Sequence, residues 1–324
     1  YHPWSLQPTD AIEKALACEK KALAMDKRII NSDGVNISTY TSNHGYANTN
    51  GCSAVVSSSR HGVSCSLIAK DGENMQRDYD YTTARDNHDL LDLDLLAKSA
   101  VKRSTDRLGA RKVQTQKAPV VFSSRISSSL FSAFIAAISG SNLYRKNSFL
   151  LDSIGEKIFP ETIRIYEQPH LLKGLGSCPL DGEGVPTRNN VIIDKGILQQ
   201  YVLGSYAARR LGLKTTANSD GVYNLTIDPT TGDMEDVLKQ MDTGLLVTEL
   251  MGQGINILTG DYSRGASGFW VEGGKIQYPV EEITIAGNLK NIFASICAVG
   301  SDINPNISTR CGSVLIKEMM IAGS

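Results

Sequence analysis

The sequence predicts an α+β protein: a helix–antiparallel meander–helix domain over residues 1–113, then a larger, mainly antiparallel β domain over 117–324. Three observations carry this. Between Ile29 and Thr82 short apolar–polar alternations are separated by turn signals at regular intervals, which is the mark of an antiparallel meander. Helix-period segments flank that region on both sides. Finally, the last third is rich in strand-forming residues and Gly-containing turns, without the regular strand–helix alternation that a parallel sheet needs.

The first helix is expected over Asp10–Asp26. Thr9 or Asp10 can cap it, Glu13 stands at capping-box spacing from Asp10, and Ile12, Ala15, Leu16, Cys18 and Leu23 follow a helical period. Cys18 reads as core. The meander's turns are expected at Ser32-Asp33-Gly34, Asn50-Gly51, His61-Gly62 and Asp71-Gly72. Its Ser, Thr and Asn residues point to one wet face, and His44 and His61 read as exposed polar residues near turns. A second helix is expected over Asp89–Leu108, capped from within Asp86–Asp89 and stopped by Gly109. Its basic residues alternate with Asp92, Asp94 and Asp106, so they read as a solvated face rather than a phosphate-binding one.

Lys112–Lys117 is a polar linker. Ala118–Phe122 then opens the second domain as a strand, and Ser127–Gly140 is an apolar helix rich in small residues. Strands follow at Ile163–Tyr166 and Val191–Tyr201, the latter folded back at Asp194-Lys195-Gly196. Short helices are expected at Tyr206–Leu211 and Met234–Met241. From Leu245 to Ile321 strands and turns dominate.

The chain has 324 residues, of which 41% are hydrophobic, so it can bury a sizeable core divided over about two domains. A net charge of −1 provides no global field for nucleic acid or an anionic membrane. The longest apolar run, Leu130–Ile138, is far short of the ~20 residues that span a bilayer. The six cysteines contain no Cys-x-x-Cys pair and read as reduced thiols of a cytoplasmic protein.

Thr243–Val280 organises the functional reading. An apolar run, Gly244–Met251, breaks at Gly252 and Gly254. Gly260-Asp261 turns, and two β-prone segments meet at Gly273-Gly274. The wording ELMGQG…GDYSRG, continued by GQGINILTGDYSRGASGFWVEGGKIQYPVEEITIAGN, resembles the TldD/PmbA family and within it the PmbA (TldE) branch. PHLLKGLGSCPLDGEGVPTRNNVIIDKGIL, SYAARRLGLKTTAN, NIFASICAVGSDI and STRCGSVLIKEMMIAG extend the likeness over nearly the whole chain. The chain starts at Tyr1 without Met, so a fragment lacking the family's amino-terminal domain is expected.

The resemblance implies metal-assisted peptide hydrolysis in the TldD branch, where His-Glu-x-x-x-His on the small-residue helix and a late cysteine hold zinc and activate water. Counting back from Tyr144-Arg145-Lys146 puts the two histidine positions at Ser132 and Ala137, the glutamate position at Ala133, and the cysteine at Cys311. This pattern implies no zinc and no catalytic residue in this chain. The implied role is a subunit beside a TldD-like, zinc-bearing partner, as a hetero-oligomer acting on peptide substrates, with a homodimer also open. The alternative is a free-standing peptide-binding or regulatory module of the gyrase-modulator type. Its nucleic-acid form is disfavoured by the charge balance, and no membrane role is expected.

Asp181, Glu183, Asp261 and Glu272 stand beside glycines and read as turn residues rather than a catalytic carboxylate pair. The expected substrate or partner surface is the Gly252–Gly268 segment, including Asp261 and Arg264, with Arg145 and Lys146 beside it. Its glycines would let an extended peptide bind by main-chain hydrogen bonds. On that reading Arg264→Glu reduces peptide hydrolysis by a reconstituted pair and leaves folding intact.

Overall fold

The computed structural model describes residues 1–323, and the chain divides into two compact units. The first comprises Tyr1–Ala110 with Pro305–Ile307, and the second Arg111–Asn304 with Ser308 onward. The architecture is α+β, as expected.

In the first unit, β1 (Ile29–Ala47), β2 (Ser53–Asp71) and β3 (Asn74–Ala84) form an antiparallel sheet in that order. Helices α1 (Pro8–Met25) and α2 (Leu93–Asp106) share a core with one face of it. Along β2 the alternate residues Val63, Cys65, Leu67 and Ala69 are buried against Leu96, Ala97 and Ala100 of α2, the period-2 pattern of a sheet with one packed face. The meander is longer and simpler than its turn signals suggested. Asp33-Gly34 sits at a register shift between β1 and β2, with Gly34 at φ 108°, so it is a bulge within a strand rather than a turn. His61-Gly62 also runs through the middle of β2, paired on both sides.

Two further expectations fail in this unit. His61 is buried, not exposed: its ring lies 2.8 Å from Thr39 Oγ1 on one side and 2.8 Å from the His2 carbonyl on the other. Helix α1 starts at Pro8, with Gln7 in the cap position and no side-chain cap; proline at the first helical position replaces the expected Thr9 or Asp10 cap. The face that α1 buries carries Cys18 and Ala22, whereas Ile12, Leu16 and Leu23 are exposed. Small residues bring the helix close to its neighbours, and the bulkier ones stay outside. Asp92, accepting from the N–H groups of Asp94 and Leu95, caps α2.

The second unit is built on a sheet of β4 (Gln116–Phe122), β9 (Gly244–Met251), β10 (Asp261–Glu272), β11 (Lys275–Asn288), β12 (Ile296–Val299) and β13 (Val314–Ala322). Its order is β11-β10-β9-β4-β13-β12, with β4 and β9 parallel and the other pairs antiparallel. Because β11 also pairs with the end of β13, five of the strands close on themselves, and β12 is attached to β13 alone. Alternation sorts residues to the two faces. Val120, Phe122, Val247 and Ile316 join the main core, while Val121, Leu246 and Leu315 pack with Val237, Leu238 and Met241 of α6 (Met234–Met241). With both faces covered, the strands read as continuous apolar runs.

The main core continues into α3 (Ser128–Ala137), whose Phe134 meets Phe159 at 5.0 Å and Phe293 at 5.8 Å, both edge to face. Phe293 lies on α7 (Leu289–Ala294), a helix inside the stretch read as strands and turns. A short helix α4 (Gly140–Tyr144) follows α3, and a smaller sheet, β7 (Ile197–Leu198), β6 (Asn190–Asp194), β5 (Ile165–Glu167), β8 (Leu225–Ile227), completes the unit with α5 (Ser205–Arg210). No helix among the described residues is long and apolar enough to cross a membrane.

Candidate functional site

A pocket of about 510 Å³ opens along the exposed side of α3 and α4. Ser132, Ala136, Ser139 and Tyr144 are among the residues that line it from these helices, and Glu183, Tyr206 of α5 and the loop Asn218–Gly221 also line it. The helices approach closely because Gly140 has no side chain: a Cβ there would lie 2.4 Å from the Cβ of Ala207. Tyr144 and Tyr206 meet edge to face at 5.7 Å.

The Asn218–Gly221 wall is held from behind by a buried carboxylate. Glu167, 1% exposed, accepts from Asn190 Nδ2 at 2.6 Å, Asn218 Nδ2 at 2.9 Å and the Tyr223 N–H at 2.8 Å. Burial pushes its carboxyl up from the ordinary range, and these hydrogen bonds oppose the shift. No local sequence signal marks Glu167; its partners come from two other segments of the chain.

Glu183 accepts the Ser205 N–H at 2.6 Å, taking the start of α5. Desolvation pushes its carboxyl up, but the bonds from Ser205 and Tyr206 and the charge of Arg209 outweigh it, and the net effect is a lowered value. Asp181 is a turn organiser, accepting from Glu183, Val185 and Ser219 N–H groups.

The four metal-motif positions separate. Ser132 faces the pocket, its hydroxyl donating to the Ser128 carbonyl at 2.9 Å. Ala133 and Ala137, at 5% and 0% exposure, face the apolar core instead. Cys311 is fully buried, and burial pushes its thiol up to about 12, with Ser127 pulling the other way. Zinc needs nitrogen, thiolate or carboxylate donors. Two methyl groups and an alcohol already hydrogen-bonded leave Cys311 as the one donor of that kind among the four positions, and one thiolate does not make a zinc site. Among the described residues no group of three or more His, Cys, Asp or Glu stands close enough to hold a metal ion.

The Gly252–Gly268 segment is built differently from its expected use. Gly252 and Gly260 have φ of 76° and 82°. The Ser263 N–H donates to the Gly254 carbonyl at 2.7 Å and the Asn256 N–H to the Asp261 carbonyl at 2.9 Å. The loop after β9 therefore folds back onto β10, and β11 takes the other edge. No main-chain edge of β10 is left there for an extended peptide. Asp261 accepts from Thr259 Oγ1 at 2.6 Å, a local turn contact. Arg264 is half-buried beside Tyr262, whose phenol burial pushes up to about 12 against the pull of the guanidinium. Arg145 and Lys146 are exposed just after α4, and Phe149 joins this stretch to the Gly252–Gly260 loop through a 3.0 Å bond to the Ile257 carbonyl.

Comparison with known proteins fixes the family. Residues 1–108 match the PmbA/TldA metallopeptidase central domain, and residues 115–323 match the C-terminal domain. The chain belongs to the PmbA/TldD family. It is 47% identical to Metalloprotease PmbA of Escherichia coli over 323 residues, covering 100% of this chain and 72% of that protein. A crystal structure from Bacteroides thetaiotaomicron, described as a candidate modulator of DNA gyrase, superposes with a TM-score of 0.93 at 32% identity, over 99% of this chain and 72% of the other. TldE from Thermococcus kodakarensis shares the fold, with a TM-score of 0.86 at 24% identity over 98% of this chain and 75% of that one. The 47% identity to Metalloprotease PmbA places the chain in the PmbA branch.

Proposed function

We propose that this chain is a non-catalytic, PmbA/TldE-type subunit of a cytoplasmic metalloprotease complex that acts on peptides, with the zinc carried by a TldD-like partner. The observation that carries the reading is the fate of the metal helix. Its second and third motif positions, Ala133 and Ala137, are methyl groups turned into the core, so the helix serves as structure. The name of the 47% identical relative, Metalloprotease PmbA, supports peptide hydrolysis as the activity of the assembly.

What this chain contributes is a surface. The pocket beside α3 is concave, with hydroxyl, carboxylate and aromatic groups available to a peptide. Arg145 and Lys146, exposed next to it in sequence, offer charge to a partner's acids or a peptide carboxylate. The test is co-expression with a TldD-like chain: co-purification and peptide hydrolysis dependent on both chains support the reading. A free-standing binding module predicts instead that the chain elutes alone and leaves the partner's hydrolysis unchanged.

A further inference from the structure

We propose that the pocket beside α3 and α4 binds a primary ammonium group of a peptide, from a free amino terminus or a lysine side chain. The proposal deepens the peptide-binding role proposed above and rests on it. Both charged side chains in the lining, Glu183 and Asp220, are carboxylates. Hydroxyls of Ser132, Ser139, Ser141 and Ser219 line the same space and can accept from an ammonium group. Tyr206, edge to face with Tyr144, presents an aromatic ring at its wall, a surface that attracts a cation.

The backbone holds the carboxylates in place. Glu183 is tied to the Ser205 N–H at 2.6 Å and ionises more readily than usual despite partial burial. Asp220 accepts from Ser219 Oγ at 3.0 Å and lies against Gly182, where a Cβ would come within 2.2 Å of Asp220 Oδ1. Any residue larger than glycine there would displace the Asp220 carboxylate. The alternative of an anionic ligand is disfavoured by the same geometry, because the start of α5 is already occupied by Glu183. The basic groups nearby lie outside the lining: the charge of Arg209 acts on Glu183, and the guanidinium groups of Arg145 and Arg210 sit 5.4 Å and 5.9 Å over the Tyr144 ring. The charged side chains that line the pocket are therefore both anionic, which suits a cationic ligand group.

The test is fluorescence anisotropy of the full chain with a short peptide labelled at its carboxy terminus, carrying a free amino terminus and one lysine. Three analogues accompany it: amino-acetylated, lysine replaced by norleucine, and both. The doubly neutralised peptide should bind roughly tenfold more weakly or worse, and whichever single analogue reproduces that loss identifies the ammonium that is read. Asp220→Asn, at an exposed position, should weaken the cationic peptide by a similar factor and leave the neutral one unchanged; Ser141→Trp, at the rim, should block both. Circular dichroism of each variant confirms folding. Equal binding of cationic and neutral peptides, indifference to both substitutions, or no binding of any peptide overturns the proposal. Hydrolysis by the reconstituted two-chain complex, run in parallel, separates the two readings. Retained hydrolysis without cation preference sinks the pocket proposal alone, whereas absent hydrolysis with intact cation binding sinks the subunit reading.

Discussion

Glu167 and Asn218 are 51 residues apart and joined by two hydrogen bonds, from Asn218 Nδ2 to each carboxylate oxygen, at 2.9 and 3.0 Å. The pair fixes the loop that closes the pocket. Removing the carboxylate would leave the Tyr223 N–H without its acceptor and take the Glu167 bonds from Asn190 Nδ2 and Asn218 Nδ2, which keep the Thr216 and Gly221 carbonyls. Glu167→Ala should cost about 3 kcal/mol or more, since a buried donor left unpaired costs about 1–3 kcal/mol and the other bonds lost to the carboxylate add to it. Urea unfolding should show a lower midpoint at unchanged slope.

The same carboxylate gives stability a pH dependence of known sign. Its folded value lies above the ordinary 4.5 because burial disfavours the charge. Its contribution is therefore full below about 4.5 and declines as pH rises through the higher folded value. Relative to Glu167→Gln, the native chain should lose stability between pH 4.5 and neutrality. Parallel urea curves for the two proteins over that interval would refute the assignment.

Phe134 is fully buried and anchors α3 against Phe159 and Phe293. Phe134→Ala should cost about 3–5 kcal/mol from lost burial and the cavity left behind. Thermal and urea unfolding measure it, and a loss under 1 kcal/mol would mean that the aromatic cluster collapses onto the space.

Restoring the metal motif should fail. Ser132→His sits at the pocket, but Ala133→Glu and Ala137→His place polar groups in an apolar core, adding overpacking to the cost of burying an unpaired charge. The triple variant should melt well below the parent and bind no stoichiometric zinc. Elemental analysis that finds one zinc per chain at parental stability would contradict the packing of α3.

Arg264 is half-buried with its Nε shielded from solvent and lies beside Tyr262. Arg264→Glu should then lower stability as well as any activity, correcting the expectation that folding is untouched. Arg264→Met keeps the packing and isolates the charge. A peptide-binding role for the guanidinium is rejected if Arg264→Met supports full hydrolysis by the assembled pair.

Local chemistry made several elements legible. Helix α6 runs over Met234–Met241 as expected, and the structure adds Asp233 as its cap; Gly273 and Gly274, at φ 57° and 69°, make the β10–β11 turn. Elements set by distant neighbours were not legible. His61 looks like a turn residue until Thr39 and His2 are brought to its ring nitrogens. The closure of β11 on β13 and the buried Glu167 cluster depend on partners far along the chain. Glu183 was visible as an acid between glycines, and Asp220 lies in a similar Asp-Gly turn; only the fold places both on one pocket. The family resemblance located Ser132, Ala133, Ala137 and Cys311, but which of them face the pocket and which face the core is a property of packing.

The most direct test of the central claim is peptide hydrolysis by purified chains, alone and mixed. This chain should cleave no unstructured peptide with or without added zinc, while its mixture with a zinc-loaded TldD-like chain should cleave at a rate that neither chain reaches alone. Zinc-dependent cleavage by this chain by itself, lost in Cys311→Ser, would contradict the account.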